Sequence, residues 1–331
     1  MFEKILLPLD GSRFAERSVP HALKFARVFG SQILLLRVLE PSLTEDGLLP
    51  AEPLQWQLLR AKTEVSLHES ANHIRKALGL EEIENETETE GHVRVAILDG
   101  KAAESIVDFA QKDAADLVVM SSHGLGGLSR WNLNSVTAKV FAQVHTNMLI
   151  IRAYLPEKEE PESSNYDQIV VALDGSRRSE CSLNAAVAFA NVTGSKLTLA
   201  SVLKPIEIPE AEPYQQELQR RSNDLFDLMR QAWNFYLQEL SQRLPVANEI
   251  QLLEGPSVVQ ALLNLADEKQ ADLLTICAHG FSGDASFPYG SLARGFVEFS
   301  TRPVLIIQDQ PVGQAQPGEA ARVAEQTKSR E

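Results

Sequence analysis

The chain has 331 residues, 44% hydrophobic and 23% charged, with 45 acidic against 31 basic side chains and a formal net charge of −14. Such an acidic balance argues against nucleic acid as a partner, because neutralising phosphates with Lys and Arg supplies most of that affinity. No apolar run reaches the roughly 18 to 20 residues of a membrane-spanning helix, and two cysteines, Cys181 and Cys277, make neither a disulfide framework nor a metal-ligand cluster.

The length predicts two domains of roughly 150 residues each. Met1-Phe2-Glu3-Lys4 runs straight into a strand pattern, so no signal peptide is expected and a reducing cytoplasm is the expected location. The first strand is placed near 3–9, where ILLPLDGSRF (5–14) closes an apolar run with Asp-Gly-Ser-Arg. The helical pattern SVPHALKFARVFG follows and ends at Gly30, a C-cap position. Further strands are predicted near 32–39, 92–98, 116–121 and 147–152. Those at 5–9 and 117–120 are apolar on consecutive positions, as suits strands covered on both faces.

EKEEPESSN (157–165) is acidic and nearly free of apolar residues, so 156–165 reads as a linker between a first domain at 1–155 and a second at 166–309. The second domain writes the same unit again. IVVALDGSRR (169–178) matches the first turn, CSLNAAVAFANVTG ends at Gly194, and strands are predicted near 167–173, 196–203, 249–254, 272–277 and 303–308. The tail 310–331 has too little apolar content to pack and is expected to be disordered. Strand–helix alternation in each copy predicts two tandem doubly wound, Rossmann-like α/β domains, each with a five-stranded parallel sheet. One element is expected to differ: a long helix over 213–244 in the second copy, about 45 Å long and so more than a short sheet can cover. Its stripe Leu218, Leu225, Phe226, Met229, Trp233, Tyr236, Leu237 and Leu240 either faces its own core or leaves an exposed end to meet the other repeat or a partner.

Ligands of such sheets bind beyond the carboxyl ends of the strands. Two loops per copy converge there. The first carries Asp10 or Asp174, which caps the next helix, accepts from a ligand hydroxyl or nitrogen, or helps hold Mg2+. The second reads SSHGLGGLSRWNLNSV from Ser121 and CAHGFSGDASFPYGS from Cys277, entering a helix at Asn134-Ser135 or Gly290-Ser291. Small residues such as Gly124, Gly127 and Gly280 before a helix start suit either a phosphate cradle or a turn that needs positive φ. His123 and His279 read as structural loop residues, and Cys277 as a small filler at a strand end rather than a redox sensor.

Both copies, over nearly all of 1–309, resemble the universal stress protein family. That family's ATP signature is Gly, two residues, Gly, nine residues, Gly, then Ser or Thr. Its positions fall here on Ser121, Gly124, Asn134 and Ser135, and on Cys277, Gly280, Gly290 and Ser291. The resemblance also places the family's first-loop Asp on Asp10 and Asp174, and the Val that contacts adenine on Val38 and Val202. Neither signature is intact. Arg130 offers repeat one a partner for polyphosphate, whereas repeat two brings Asp284 and the bulky Tyr289, with Arg294 one turn into its helix, so the balance favours repeat one.

The resemblance implies a stress-response regulator that binds ATP with Mg2+ in at least one repeat and acts through an unnamed protein partner. It also implies that the two repeats associate through their final strands as an intramolecular pseudo-dimer. A nucleotide-independent scaffold and a slow nucleotide hydrolase are the competing readings. No catalytic residue and no protein-held metal site is nominated, since each crevice lacks a nucleophile–base pair.

Overall fold

The computed structural model describes residues 1–40, 52–80, 92–122, 135–152, 166–208, 210, 213–281 and 287–309. The expected linker and tail lie outside them. The chain divides into two compact units. In the first, strands β1 (Lys4–Pro8), β2 (Gln32–Leu39), β3 (Val93–Asp99), β4 (Leu117–Ser121) and β5 (Asn147–Ile151) alternate with helices α1 (Arg13–Glu16), α2 (Ser18–Phe29), α3 (Pro53–Leu78), α4 (Ala102–Lys112) and α5 (Ser135–Gln143). The second has strands β6 (Gln168–Ala172), β7 (Lys196–Leu203), β8 (Asn248–Glu254), β9 (Leu273–Cys277) and β10 (Val304–Ile307). Its helices are α6 (Cys181–Thr193), α7 (Gln215–Arg243), α8 (Val258–Glu268) and α9 (Ser291–Phe299).

Within the first unit the strands run in the order β3-β2-β1-β4-β5, and within the second β10-β9-β6-β7-β8. The pairs β1–β2, β1–β4, β2–β3 and β4–β5 are parallel, as are β6–β7, β6–β9, β7–β8 and β9–β10. Each is a doubly wound α/β sheet. The strand order reverses between β1 and β4, and between β6 and β9, which is where such folds open a crevice. Every residue of β4 (LVVMS) and β9 (LLTIC) is buried, in keeping with their unbroken apolar runs.

The duplication extends to individual contacts at the amino-terminal edge. Asp116, just before β4, accepts from the amides of Glu3 (2.8 Å) and Lys4 (2.9 Å). Asp272, just before β9, accepts from those of Asp167 and Gln168, both at 2.9 Å. Each carboxylate satisfies backbone donors at a strand start that water does not fully reach. Phe2 is fully buried and stacks edge-on with Phe29 at 4.8 Å between ring centroids. Tyr166 holds the matching place and meets Phe189 edge-on at 5.3 Å. Such pairs add about 0.5 to 1.5 kcal/mol beyond the area they bury. Gly30 and Gly194 end α2 and α6 in the left-handed conformation, as their positions predict.

One expectation about the long helix is corrected, and of the two readings of its stripe the exposed end is the one observed. It is present in both units: α3 has 26 residues and α7 has 29. The first lacks a strong apolar stripe, since only Thr63, Leu67, Ala71 and Ile74 are buried, and this hides it in the sequence. Nor does α7 face the core along its length. Leu237 and Leu240 are buried, whereas Leu225 is 49% exposed. At 1.5 Å per residue α7 is about 43 Å long, and the seven residues of β8 span only about 23 Å. The sheet can cover only one end of such a helix.

Candidate functional site

In the first unit, the carboxyl ends of β1, β2 and β4 surround a cleft that is open to solvent at its mouth. Leu36 and Val38 line it from β2, Ala102 and Ile106 from α4, and Met120 and Ser121 from β4. Asp10 and Thr137 add polar groups at its rim. The walls are apolar and the polar atoms few, the usual make-up of a small-molecule site. The alternation of β2 explains the lining: Leu36 and Val38 face the cleft, and Arg37 between them faces the other side of the sheet.

Local chemistry fixes the turn that carries Asp10. Its Oδ1 accepts from the Ser12 amide at 2.9 Å, and Ser12 Oγ in turn caps α1 by accepting from the Ala15 amide at 3.0 Å. The helix cap itself is Ser12, two positions later, while Asp10 accepts from the Ser12 amide. Gly11 has φ +73°, and a Cβ there would lie 2.8 Å from Arg37 Nη1. Arg37 Nη1 donates to the Leu9 carbonyl at 3.1 Å, so the guanidinium supports the turn from below. Burial lowers Arg37 from its ordinary value, opposed by the charges of Asp10 and Glu16. Burial raises Glu16, with Asp10 adding to the effect and Arg37 and His73 opposing it. Across the cleft, Thr137 Oγ1 donates to the buried Ser121 carbonyl at 2.9 Å, tying the first turn of α5 to the end of β4.

Asp10, Val38 and Ser121 are thus brought together. Ser135 begins α5 as expected. Gly124, Gly127, Arg130 and Asn134 lie outside the described residues, as does His123. Sequence reasoning missed Thr137, Arg37, Ala102 and Ile106. The last two stand four apart on the apolar face of α4, a spacing that marks one side of a helix.

The same turn recurs in the second unit, where its loop is described as far as Phe281. Asp174 Oδ1 accepts from the Ser176 amide (3.0 Å) and hydroxyl (2.6 Å), and its Oδ2 accepts from the Phe281 amide at 2.6 Å. Burial alone would raise this carboxyl, but the bonds from Ser176 and Phe281 outweigh it and hold Asp174 below the usual carboxylate range. Gly280 is part of this closure: a Cβ there would sit 2.1 Å from Asp174 Oδ2. Gly175, at φ +75°, rests on the Trp233 ring of α7, where a Cβ would meet it at 3.0 Å. Tyr236, one turn on, donates to Glu180 at 3.1 Å. Burial, reinforced by the charges of Glu180 and Asp174, raises the Tyr236 phenol above its ordinary value.

Gly290 caps α9 and its amide donates to the Ala278 carbonyl at 2.8 Å. Ser291 is exposed at the helix start, Val202 is half-buried, and Tyr289 is 3% exposed. Behind the loop, buried His279 meets Asp309 Oδ1 at 2.6 Å through Nδ1, and Arg178 Nε donates to Asp309 Oδ2 at 2.6 Å. Among the described residues no group of three or more His, Cys, Asp or Glu side chains could hold a metal ion. No helix among them is long and apolar enough to cross a membrane.

A model of the universal stress protein family matches residues 1–152 and again 165–308. A universal stress protein of Methanocaldococcus jannaschii, MJ0531, is 31% identical over 159 residues, 48% of this chain and 86% of that protein. One from Mycolicibacterium smegmatis is 22% identical over 309 residues, 92% of this chain and 96% of its own length, so it extends across both repeats. Among solved structures, a universal stress protein from Archaeoglobus fulgidus has a TM-score of 0.65 at 18% identity, over 94% of this chain and all of that one.

Proposed function

The chain belongs to the universal stress protein family, and from that premise we propose that its first repeat is a receptor for an adenine nucleotide, with ATP the expected ligand. The observation that carries the reading is the cleft of unit one, where the residues matched to the family's adenine-contacting Val and first-loop Asp, Val38 and Asp10, line one apolar space with Ser121. Val38, Ile106 and Met120 offer flat apolar contact to a base, and Asp10 offers an acceptor to a sugar hydroxyl. Mg2+ would arrive with the phosphates and supply charge neutralisation, taking oxygen ligands such as the Asp10 carboxylate.

The residues present fit such a group. Asp10 is the carboxylate lining the cleft, and the carbonyl of Ser121 already accepts from Thr137 Oγ1. The second repeat is proposed as the half that holds structure and meets a protein partner, since its Asp174 is bound by Phe281 in place of a ligand. Binding, rather than turnover, is the proposed activity, its output a change in the surface that a protein partner reads.

Equilibrium dialysis of the full chain against labelled ATP with Mg2+ tests the reading. One nucleotide per chain is expected, with a rise in melting temperature; ligand at 100 times its dissociation constant stabilises by about 2.7 kcal/mol. No retained nucleotide and no thermal shift at millimolar ATP would leave the scaffold reading in its place.

A further inference from the structure

Cys181 and Cys277 are 96 positions apart in the chain, yet their Sγ atoms lie 2.8 Å from one another. That is within about 0.8 Å of a sulfur–sulfur bond. Neither is in a disulfide; Cys181 is partly exposed and Cys277 is buried. Both belong to the second unit, Cys181 as the first residue of α6 and Cys277 as the last of β9. The first repeat has no such pair. Ser18 and Ser182 make the same bond back to the carbonyl three residues earlier, so Arg17 stands where Cys181 does, and Ser121 stands where Cys277 does.

We propose that Cys181 and Cys277 form a reversible intramolecular disulfide, making the second repeat a site of oxidative modification by low-molecular-weight disulfides such as oxidised glutathione. The inference does not depend on nucleotide binding by the first repeat. Cys181 is the attacking residue because it is the one solvent reaches, and Cys277 resolves the intermediate from beneath. In the first step Cys181 Sγ gives up its proton and attacks one sulfur of the small disulfide, whose sulfur–sulfur bond breaks and releases one thiol. In the second step Cys277 Sγ gives up its proton and attacks the Cys181 sulfur. The bond to the small molecule breaks and a second thiol leaves. Two protein thiols are oxidised, one small disulfide is reduced to two thiols, and the two protons end on the released sulfurs.

The neighbouring thiol and burial raise Cys181 above its ordinary value, with Arg178 opposing. A raised thiol holds little thiolate at neutral pH, so the first step is slow and needs an excess of the small disulfide. The bond would tie the first turn of α6 to the end of β9, directly before Ala278, whose carbonyl holds the Gly290 amide at the start of α9. Oxidation thus fixes the backbone on which the second crevice is built.

The test is intact-mass analysis and peptide mapping of the full folded chain after incubation with oxidised glutathione, then with dithiothreitol. The expected result is loss of two hydrogens, a cross-link between the Cys181 and Cys277 peptides, and full reversal by the reductant. Cys277→Ser is expected to stop at a glutathione adduct on Cys181. A lasting adduct on the unaltered chain, a cross-link between two chains, or no reaction while the urea-unfolded chain reacts would each overturn the proposal.

Discussion

In the first repeat Gly11 rests on Arg37, a side chain from the neighbouring strand, and Asp10 lines a cleft. In the second, Gly175 rests on Trp233 from a helix, and Asp174 is bound by the amide of Phe281. The four turn residues Asp-Gly-Ser-Arg are identical, and so is the left-handed glycine. What separates the copies among the described residues is what packs on the turn glycine: an arginine from the neighbouring strand in one and a tryptophan from a helix in the other. A motif match therefore identifies the turn and leaves its use to residues elsewhere in the sheet and helices.

The sharpest way to break this contrast is to remove each carboxylate in turn. Asp10→Ala is expected to weaken nucleotide binding by about 10- to 100-fold, the loss of one charge-assisted hydrogen bond at roughly 1.5 to 3 kcal/mol. Asp174→Ala is expected to leave the affinity unchanged. Isothermal titration of both variants with ATP decides it, and equal losses would erase the distinction drawn between the repeats.

A second test concerns the closure itself. Gly280→Ala forces a methyl group against the Asp174 carboxylate, which Ser176 and Phe281 hold in place. The expected cost is about 1 to 3 kcal/mol, the price of leaving a partly buried acceptor without its donor. Urea unfolding should show it as a lower midpoint with an unchanged slope, and ATP binding should persist.

The smallest effect is in the pH dependence. Asp174 titrates below the ordinary carboxylate range when folded, so the unfolded chain takes up the proton first as pH falls. Its contribution to stability is complete above the unfolded value of about 3.9 and is lost as pH drops through the lower folded value. Asp174→Asn should therefore flatten the acid limb of the urea midpoint measured between neutral pH and pH about 3. An acid limb as steep as that of the unaltered chain would show that Asp174 contributes nothing there.

The sheets were legible because their strands are short apolar runs bounded by turns; the placements at 32–39 and 196–203 coincide with β2 and β7. The helix starts at Ser135 and Ser291 were legible for a similar reason, a Gly- and Ser-rich segment giving way to a helical pattern. Helix α3 was not, since most of its length faces water and carries little periodicity. The closure of Asp174 was hidden because it depends on an amide 107 positions away, and amides have no sequence identity. The pairing of Cys181 with Cys277 was hidden in the same way: Cys277 read alone is a filler, and only the crossing of β9 beneath the start of α6 gives it a neighbour.

Asp116 and Asp272 clasp the starting ends of their sheets, at the opposite rim from the crevices. That division of labour uncouples foldability from ligand choice. After a gene doubles, one copy can change what packs on its carboxyl rim, as Trp233 replaces Arg37 against the turn glycine, while the far rim continues to anchor the chain.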